Sequence, residues 1–293
     1  MVKILASPVK VNPSKFHKDQ IKIHIFLILM SIFMGLPIIF IFNHAFKPFT
    51  ELFAYPPRFF VQNPTLENFR LLANFSNESG IPLTRYIFNS VLVAVILIIL
   101  TLLVSSSAAF ALSKLNFWGK ETFNKINTLA LMFVPIAVAI PRFIIIVNMG
   151  LYNSLWAHII PMLAMPVGLF LLKQFIDQIP DSLIEAAKMD GAGNFRVYWS
   201  IILPLIKPAL VTVALLTFQA TWGNTESSAI YMDKESLRTL PFYMQTLTAQ
   251  SGNIVASAGV SAVGGLIMFL PNLILFIILQ NKVMNSMAHT GIK

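Results

Sequence analysis

The run YIFNSVLVAVILIILTLLVSSSAAFAL, residues 86 to 112, contains no Asp, Glu, Lys or Arg. Crossing the ~30 Å hydrocarbon core of a bilayer takes roughly 20 apolar residues in a helix. Only a helix or a closed barrel can satisfy its own backbone polar groups in lipid. The run is one of six: segments at about 21–43, 86–112, 126–148, 154–176, 207–230 and 257–280 all qualify. With 56% hydrophobic and 11% charged residues, the 293-residue chain is too apolar for a soluble domain of its size. The expected fold class is an all-α integral membrane protein with six transmembrane helices.

The net charge of +9 does not point to nucleic acid, because the basic residues sit at the ends of apolar runs and form no basic helix or aromatic-interleaved patch. With the N-terminus in the cytoplasm, 14 Lys and Arg fall inside and 6 outside, with Arg142 within a span. The positive-inside rule then places both termini in the cytoplasm. The first twenty residues are polar and basic, and no small-x-small cleavage site follows, so the run after them reads as an uncleaved first span.

The expected organisation is a cytoplasmic segment 1–20, a first helix 21–43, an external loop 44–85, a five-helix core 86–280, and a cytoplasmic tail 281–293. The core includes a cytoplasmic loop at 177–206. The prolines and aromatics of FKPFTELFAYPPRFFVQNPTLENF suit a folded loop at the interface. Pro135, Pro141, Pro161, Pro166 and Pro271 fall inside spans, where each is expected to kink or break a helix.

The loop EAAKMDGAGNFRVYWSIILP, residues 185 to 204, is charged and glycine-punctuated in an otherwise apolar chain. Ser182 followed by Glu185 has the spacing of a capping box. Asp190, Gly191, Ala192 and Gly193 supply a turn, Asn194 suits the cap of a second short helix, and Pro204 closes it. A mere connection needs only a few polar residues. This one uses about thirty, with Ala186, Ala187 and Met189 beside Phe195, Tyr198 and Trp199. Its residues allow two readings: a docking knob for a cytosolic partner, or an amphipathic hairpin on the headgroups.

EAAKMDGAGNFRVYWSIILPLIKPAL resembles the EAA loop of bacterial ATP-binding cassette importer permeases, and the DGA core with ILPLIKPAL is similar to the carbohydrate-uptake branch. The resemblance extends through IPRFIIIVNMGLYNSLWAHIIPML, FLLKQFIDQIPDSL and FLPNLILFIILQ to the tail ending in GIK, and is with the shorter permease subunit of maltose-type transporters. It implies six spans, a cytoplasmic helix-turn-helix coupling loop, and a place in the bacterial cytoplasmic membrane. The implied partners are a second permease, two ATPase subunits and an extracellular solute-binding protein, with a carbohydrate as cargo. Glu185, Ala186, Ala187, Asp190, Gly191, Ala192 and Phe195 would form the ATPase-coupling surface. His289, Thr290, Gly291 and Lys293 of the tail would contact the ATPase. No GxxxxGK[ST] phosphate loop occurs, so ATP and Mg are expected on the partner and no cofactor on this chain.

In FQATWGNTES, Gln219, Trp222 and Glu226 fall at i, i+3 and i+7, one face of a continuous helix, with Thr221 and Asn224 nearby. Polar groups within a span face a bundle interior or a wet cavity. Hydroxyl-directed donors beside an aromatic face suit a sugar, so the five are the candidate substrate pathway; helix-to-helix hydrogen bonding and a Trp anchor explain the same residues. Arg142 is expected to snorkel or to pair with an acid. The alternatives for function are a glycerol phosphate or other polar cargo, an ATP-independent secondary carrier, and a membrane enzyme or assembly factor. A carrier calls for inverted repeats and paired membrane carboxylates and an enzyme for a catalytic cluster, and the sequence offers none of these. The chain is expected to be a transporter subunit that does no covalent chemistry.

Overall fold

A computed structural model of the chain describes residues 20–78, 80–250 and 254–290, and among these there are helices and turns but no strand. The order is α1 (Gln20–Phe46), α2 (Phe49–Leu52), α3 (Glu67–Glu78), α4 (Leu83–Lys114), α5 (Lys120–Ala130), a 3₁₀ turn at Pro135–Val138, α6 (Ala139–Asn148), α7 (Trp156–Leu163) and α8 (Pro166–Asp177). Then come α9 (Asp181–Met189), α10 (Asn194–Val197), a π turn at Tyr198–Ile202, α11 (Leu203–Leu205), α12 (Lys207–Trp222), α13 (Glu226–Tyr231), a 3₁₀ turn at Glu235–Leu237, α14 (Leu240–Gln250) and α15 (Ile254–Thr290).

Three helices are long and apolar enough to cross a membrane by themselves: α1, α4 and the 258–280 part of α15. Two more candidates are bent pairs, α7 with α8 at 47° and the 194–205 helix with α12 at 79°. The expected third span, 126–148, is interrupted. Pro135 has no N–H to donate and its ring would strike the carbonyl four residues back, so α5 stops at Ala130 and α6 begins at Ala139. The fourth, 154–176, breaks at Ala164 and Met165, where Pro166 opens α8 and restricts the residue before it. The fifth, 207–230, ends early: α12 stops at Trp222 and α13 starts anew at Glu226. Proline does not break every helix, since Pro161 lies inside α7 and Pro271 inside the unbroken α15.

α4 is the central post. At 32 residues it runs about 48 Å, and it packs on α7, α8 and α12 while α1 and α12 pack on α15. One core gathers Leu72, Tyr86, Phe218, Trp222, Leu240 and Val263. A second, around the other end of α4, gathers Phe110, Leu172, Ile176, Ile184, Tyr198 and Ile202. Glycines on α15 admit its neighbours: a Cβ on Gly259 would sit 2.5 Å from Asn68 Oδ1, and one on Gly264 2.5 Å from Met244 Sδ.

The segment after α1 is folded. Asn68 Nδ2 donates to the carbonyls of Ala45 (3.1 Å) and Lys47 (2.7 Å), and Lys47 Nζ donates to the Arg58 carbonyl. Glu51 accepts from the backbone N–H groups of Gln62 and Asn63, which hold its carboxyl below the ordinary range.

Candidate functional site

The loop predicted to couple to a partner forms two helices joined by a left-handed turn. α9 begins at Asp181 with Pro180 in the cap position and no side-chain cap, so Ser182 lies inside the helix and the expected capping box is not made. α10 likewise starts at Asn194 with Gly193 before it, and Asn194 is the first helical residue instead of the cap. Nor does Pro204 close the second helix: it lies within α11, and the turn comes at Ile206. Gly191 has φ +82°, which glycine adopts without steric cost.

The loop has an anchored base and an exposed rim. On the inner side Ile184, Val197, Tyr198, Ile202 and Ile206 are buried against α4, α8 and α12, and Ala187 and Ala192 pack at the edge of that cluster. Polar clamps fix it to the end of α4: Lys114 Nζ donates to the Ile179 carbonyl (2.6 Å) and to Asp181 (2.7 Å), and Ser113 Oγ donates to Asp177 (2.5 Å). On the outer side Glu185, Ala186, Asp190, Gly191 and Phe195 are exposed. Met189 is 90% exposed and Phe195 76%, large apolar side chains with little to cover them within this chain. The seven predicted coupling residues thus divide into five on the rim and two, Ala187 and Ala192, half-buried beneath it.

The predicted substrate residues do not share one helical face, because α12 ends at Trp222 and Glu226 belongs to α13. Trp222 is 4% exposed, stacks on Phe218 and donates from Nε1 to the Met268 carbonyl at 3.0 Å. Its ring offers no free face for stacking. Thr221 is buried and donates to the Thr217 carbonyl (2.7 Å), and the Asn224 side chain accepts from the Ser227 N–H (2.9 Å). Of the five, Gln219 is exposed, and Glu226 pairs with Arg142 across α13 and α6 at 2.5 Å. Arg142 is therefore paired with an acid, one of the two roles expected of it. His289 and Thr290 lie in the last turn of α15 with side chains outside the described residues, as Gly291 and Lys293 are entirely.

A polar seam that the sequence reading missed lies at the far end of α4 from the loop. His158 is 1% exposed; its Nε2 donates to the Leu237 carbonyl (3.0 Å), and its Nδ1 is hydrogen-bonded with Ser227 Oγ (2.7 Å). Asn89 Nδ2 donates to the carbonyls of Ser236 and Arg238, both at 2.9 Å, and Tyr86 donates to Glu235 at 2.9 Å. The signal was present in Asn89, Ser90 and His158 as polar residues within predicted spans, which need partners in lipid.

The described residues thus form a helical bundle with three unbroken helices long and apolar enough to cross a membrane, three further expected spans that are each interrupted, and one packed loop with an exposed rim. The chain belongs to the family of binding-protein-dependent transport system inner membrane components, whose model matches residues 16–282. It is 30% identical over 285 residues to the probable ABC transporter permease protein YurM of Bacillus subtilis, covering 95% of this chain and 90% of that one. It is 27% identical over 270 residues to the arabinooligosaccharides transport system permease protein AraQ of Halalkalibacterium halodurans, covering 92% and 93%. The diacetylchitobiose uptake system permease protein DasC of Streptomyces coelicolor is 25% identical over 266 residues, covering 89% and 94%. The same fold occurs in a bacterial ABC transporter involved in the import of the acidic polysaccharide alginate, with TM-score 0.78, 21% identity and coverage of 92% and 99%. The chain is a transporter permease subunit in a membrane, not an enzyme.

Proposed function

We propose that this chain forms one half of the pore of an ATP-driven importer for a sugar or oligosaccharide. The other half is a second permease, with two ATPase subunits bound on the cytoplasmic side and a solute-binding protein delivering cargo from outside. ATP and Mg bind on the ATPase chains. The observation that carries this reading is the two-sided loop 177–206, clamped to α4 by Lys114 and Ser113 and presenting Glu185, Ala186, Asp190, Gly191 and Phe195 outward. The carbohydrate cargo is supported by the arabinooligosaccharide and diacetylchitobiose uptake named for two relatives. Gln219 and the Glu226–Arg142 pair line the pathway, and the tail with His289, Thr290, Gly291 and Lys293 touches the ATPase. The broken middle helices complete six spans, with both termini cytoplasmic.

Two measurements test this. When the complex is reconstituted in liposomes with its ATPase, second permease and binding protein, labelled oligosaccharide should accumulate only with ATP on the ATPase side. Unlabelled oligosaccharide should compete and glycerol phosphate should not; uptake without ATP would overturn the importer reading. For topology, the chain has no cysteine, so single cysteines report cleanly. In intact cells an impermeant thiol reagent should label Asn63→Cys and spare Lys188→Cys, and the reverse pattern would overturn the orientation.

A further inference from the structure

The loop's contact with the membrane helices includes one buried side-chain hydrogen bond, and it joins the rim to the central post. Tyr198 Oη lies 2.6 Å from Ser106 Oγ, with Tyr198 7% and Ser106 1% exposed. The direction of the bond follows from bookkeeping of hydrogens. Ser106 Oγ is 2.5 Å from the Leu102 carbonyl, which can only accept, so the single hydroxyl hydrogen of Ser106 goes there. Tyr198 is therefore the donor and Ser106 the acceptor.

Backbone and packing favour this contact. Tyr198 opens the π turn Tyr198–Ile202, a geometry that is rare and concentrates at functional sites. In a regular α-helix each fourth residue drifts about 40° around the axis, which would carry Tyr198, Ile202 and Ile206 away from one line. The wider π turn offsets the drift, and all three are buried against the same neighbours, Val197 with them. On α4 Ala109 and Phe110 belong to the same buried cluster as Tyr198, which rests on Phe110 with centroids 5.6 Å apart. The residues beside it face the other way. Phe195 and Trp199 stay exposed and touch each other, with ring centroids 6.0 Å apart, and Trp199 meets Tyr198 edge-on at 5.6 Å.

We infer that Tyr198 is a positioning residue for coupling: its hydrogen bond to Ser106 fixes the exposed rim rigidly to α4, so that a push on Phe195 and Trp199 moves the central helix of the pore instead of only rotating the loop. The inference rests on the proposal that the ATPase seats on this rim. It does not assign Tyr198 any contact with ATPase or cargo.

The test uses the full complex in liposomes, with Tyr198→Phe, Ser106→Ala and the double variant. Tyr198→Phe keeps the ring on Phe110 and removes only the donor. Each single variant should co-purify with its partners yet lose about tenfold in the ratio of binding-protein-stimulated to unstimulated ATP hydrolysis, within the range of coupling between distant sites. The double variant should lose no more than the singles, because one bond is broken in all three. An unchanged ratio in Tyr198→Phe, or losses that multiply in the double variant, would overturn the inference. Crosslinking from Met189→Cys to the ATPase in the otherwise unaltered chain separates the two levels. If no crosslink forms, the docking proposal fails and this inference with it; if it forms while Tyr198→Phe keeps its ratio, the inference alone fails.

Discussion

Gly191→Pro is expected to leave the permease in the membrane and cut it off from its ATPase. Gly191 sits at φ +82°, has open space around it and donates its N–H to the Lys188 carbonyl at 3.0 Å. Proline fixes φ near −65° and has no N–H, so the angle between α9 and α10 must change. The inner side of the loop, with Ile184 and Val197 buried and Lys114 clamped on Asp181, does not depend on Gly191. The variant should therefore accumulate to near-normal amount with the second permease bound, lose the ATPase on purification, and lose uptake at least a hundredfold, a loss of about 3 kcal/mol in coupling. Glu185→Ala makes the companion case. No side chain caps α9 and Glu185 is exposed, so its removal costs the fold little, and any loss of stimulated hydrolysis reports a contact with the partner. A hairpin that merely lies on headgroups predicts an intact four-chain complex for both variants. Co-purification followed by ATPase assays decides between the two, and full coupling in both variants would sink the docking proposal.

The second large effect is expected in the fold itself, from Gly259→Ala. The added Cβ would lie 2.5 Å from Asn68 Oδ1 and 2.7 Å from its Cγ. Asn68 cannot swing aside at little cost, because it is buried and its amide holds the carbonyls of Ala45 and Lys47 at the end of α1. Either α15 moves off α3 or those hydrogen bonds break. Overpacking of a close contact costs roughly 1–3 kcal/mol, and a lost buried hydrogen bond adds about 1 kcal/mol or more. The folded amount in detergent and uptake should fall together, with a lower unfolding temperature. Gly35→Ala is the matched control: that site in α1 has nothing within 4 Å, and alanine favours the helix. In a Gly259→Ala, Asn68→Ala double variant the clash is gone, so the combined cost should be less than the sum of the singles. Strict additivity would mean that the two residues do not oppose each other.

The amino-acid sequence by itself determined the solvent, the helical class and the place of the charged helix-turn-helix loop. Apolar runs long enough to cross a bilayer admit few other outcomes, and a turn such as DGAG is written in residues that act locally, where Gly191 tolerates a positive φ whatever surrounds it. The resemblance of the EAAKMDGAG stretch to a permease loop likewise needed only contiguous residues. Composition could not say where a helix stops. The break after Trp222 separates Glu226 from Gln219 and Trp222, and an apolar run read by its length carries straight through it. It likewise could not say which side of a residue is used. Trp222, read as a possible sugar platform, is buried on Phe218 with its indole N–H committed to Met268, because residues 46 apart in sequence meet only when α12 and α15 pack. The seam of His158, Ser227 and Leu237, and the bond from Tyr198 to Ser106 across 92 positions, are of the same kind. Each buried polar group needed a partner, and only the packing of distant helices decided which one it found.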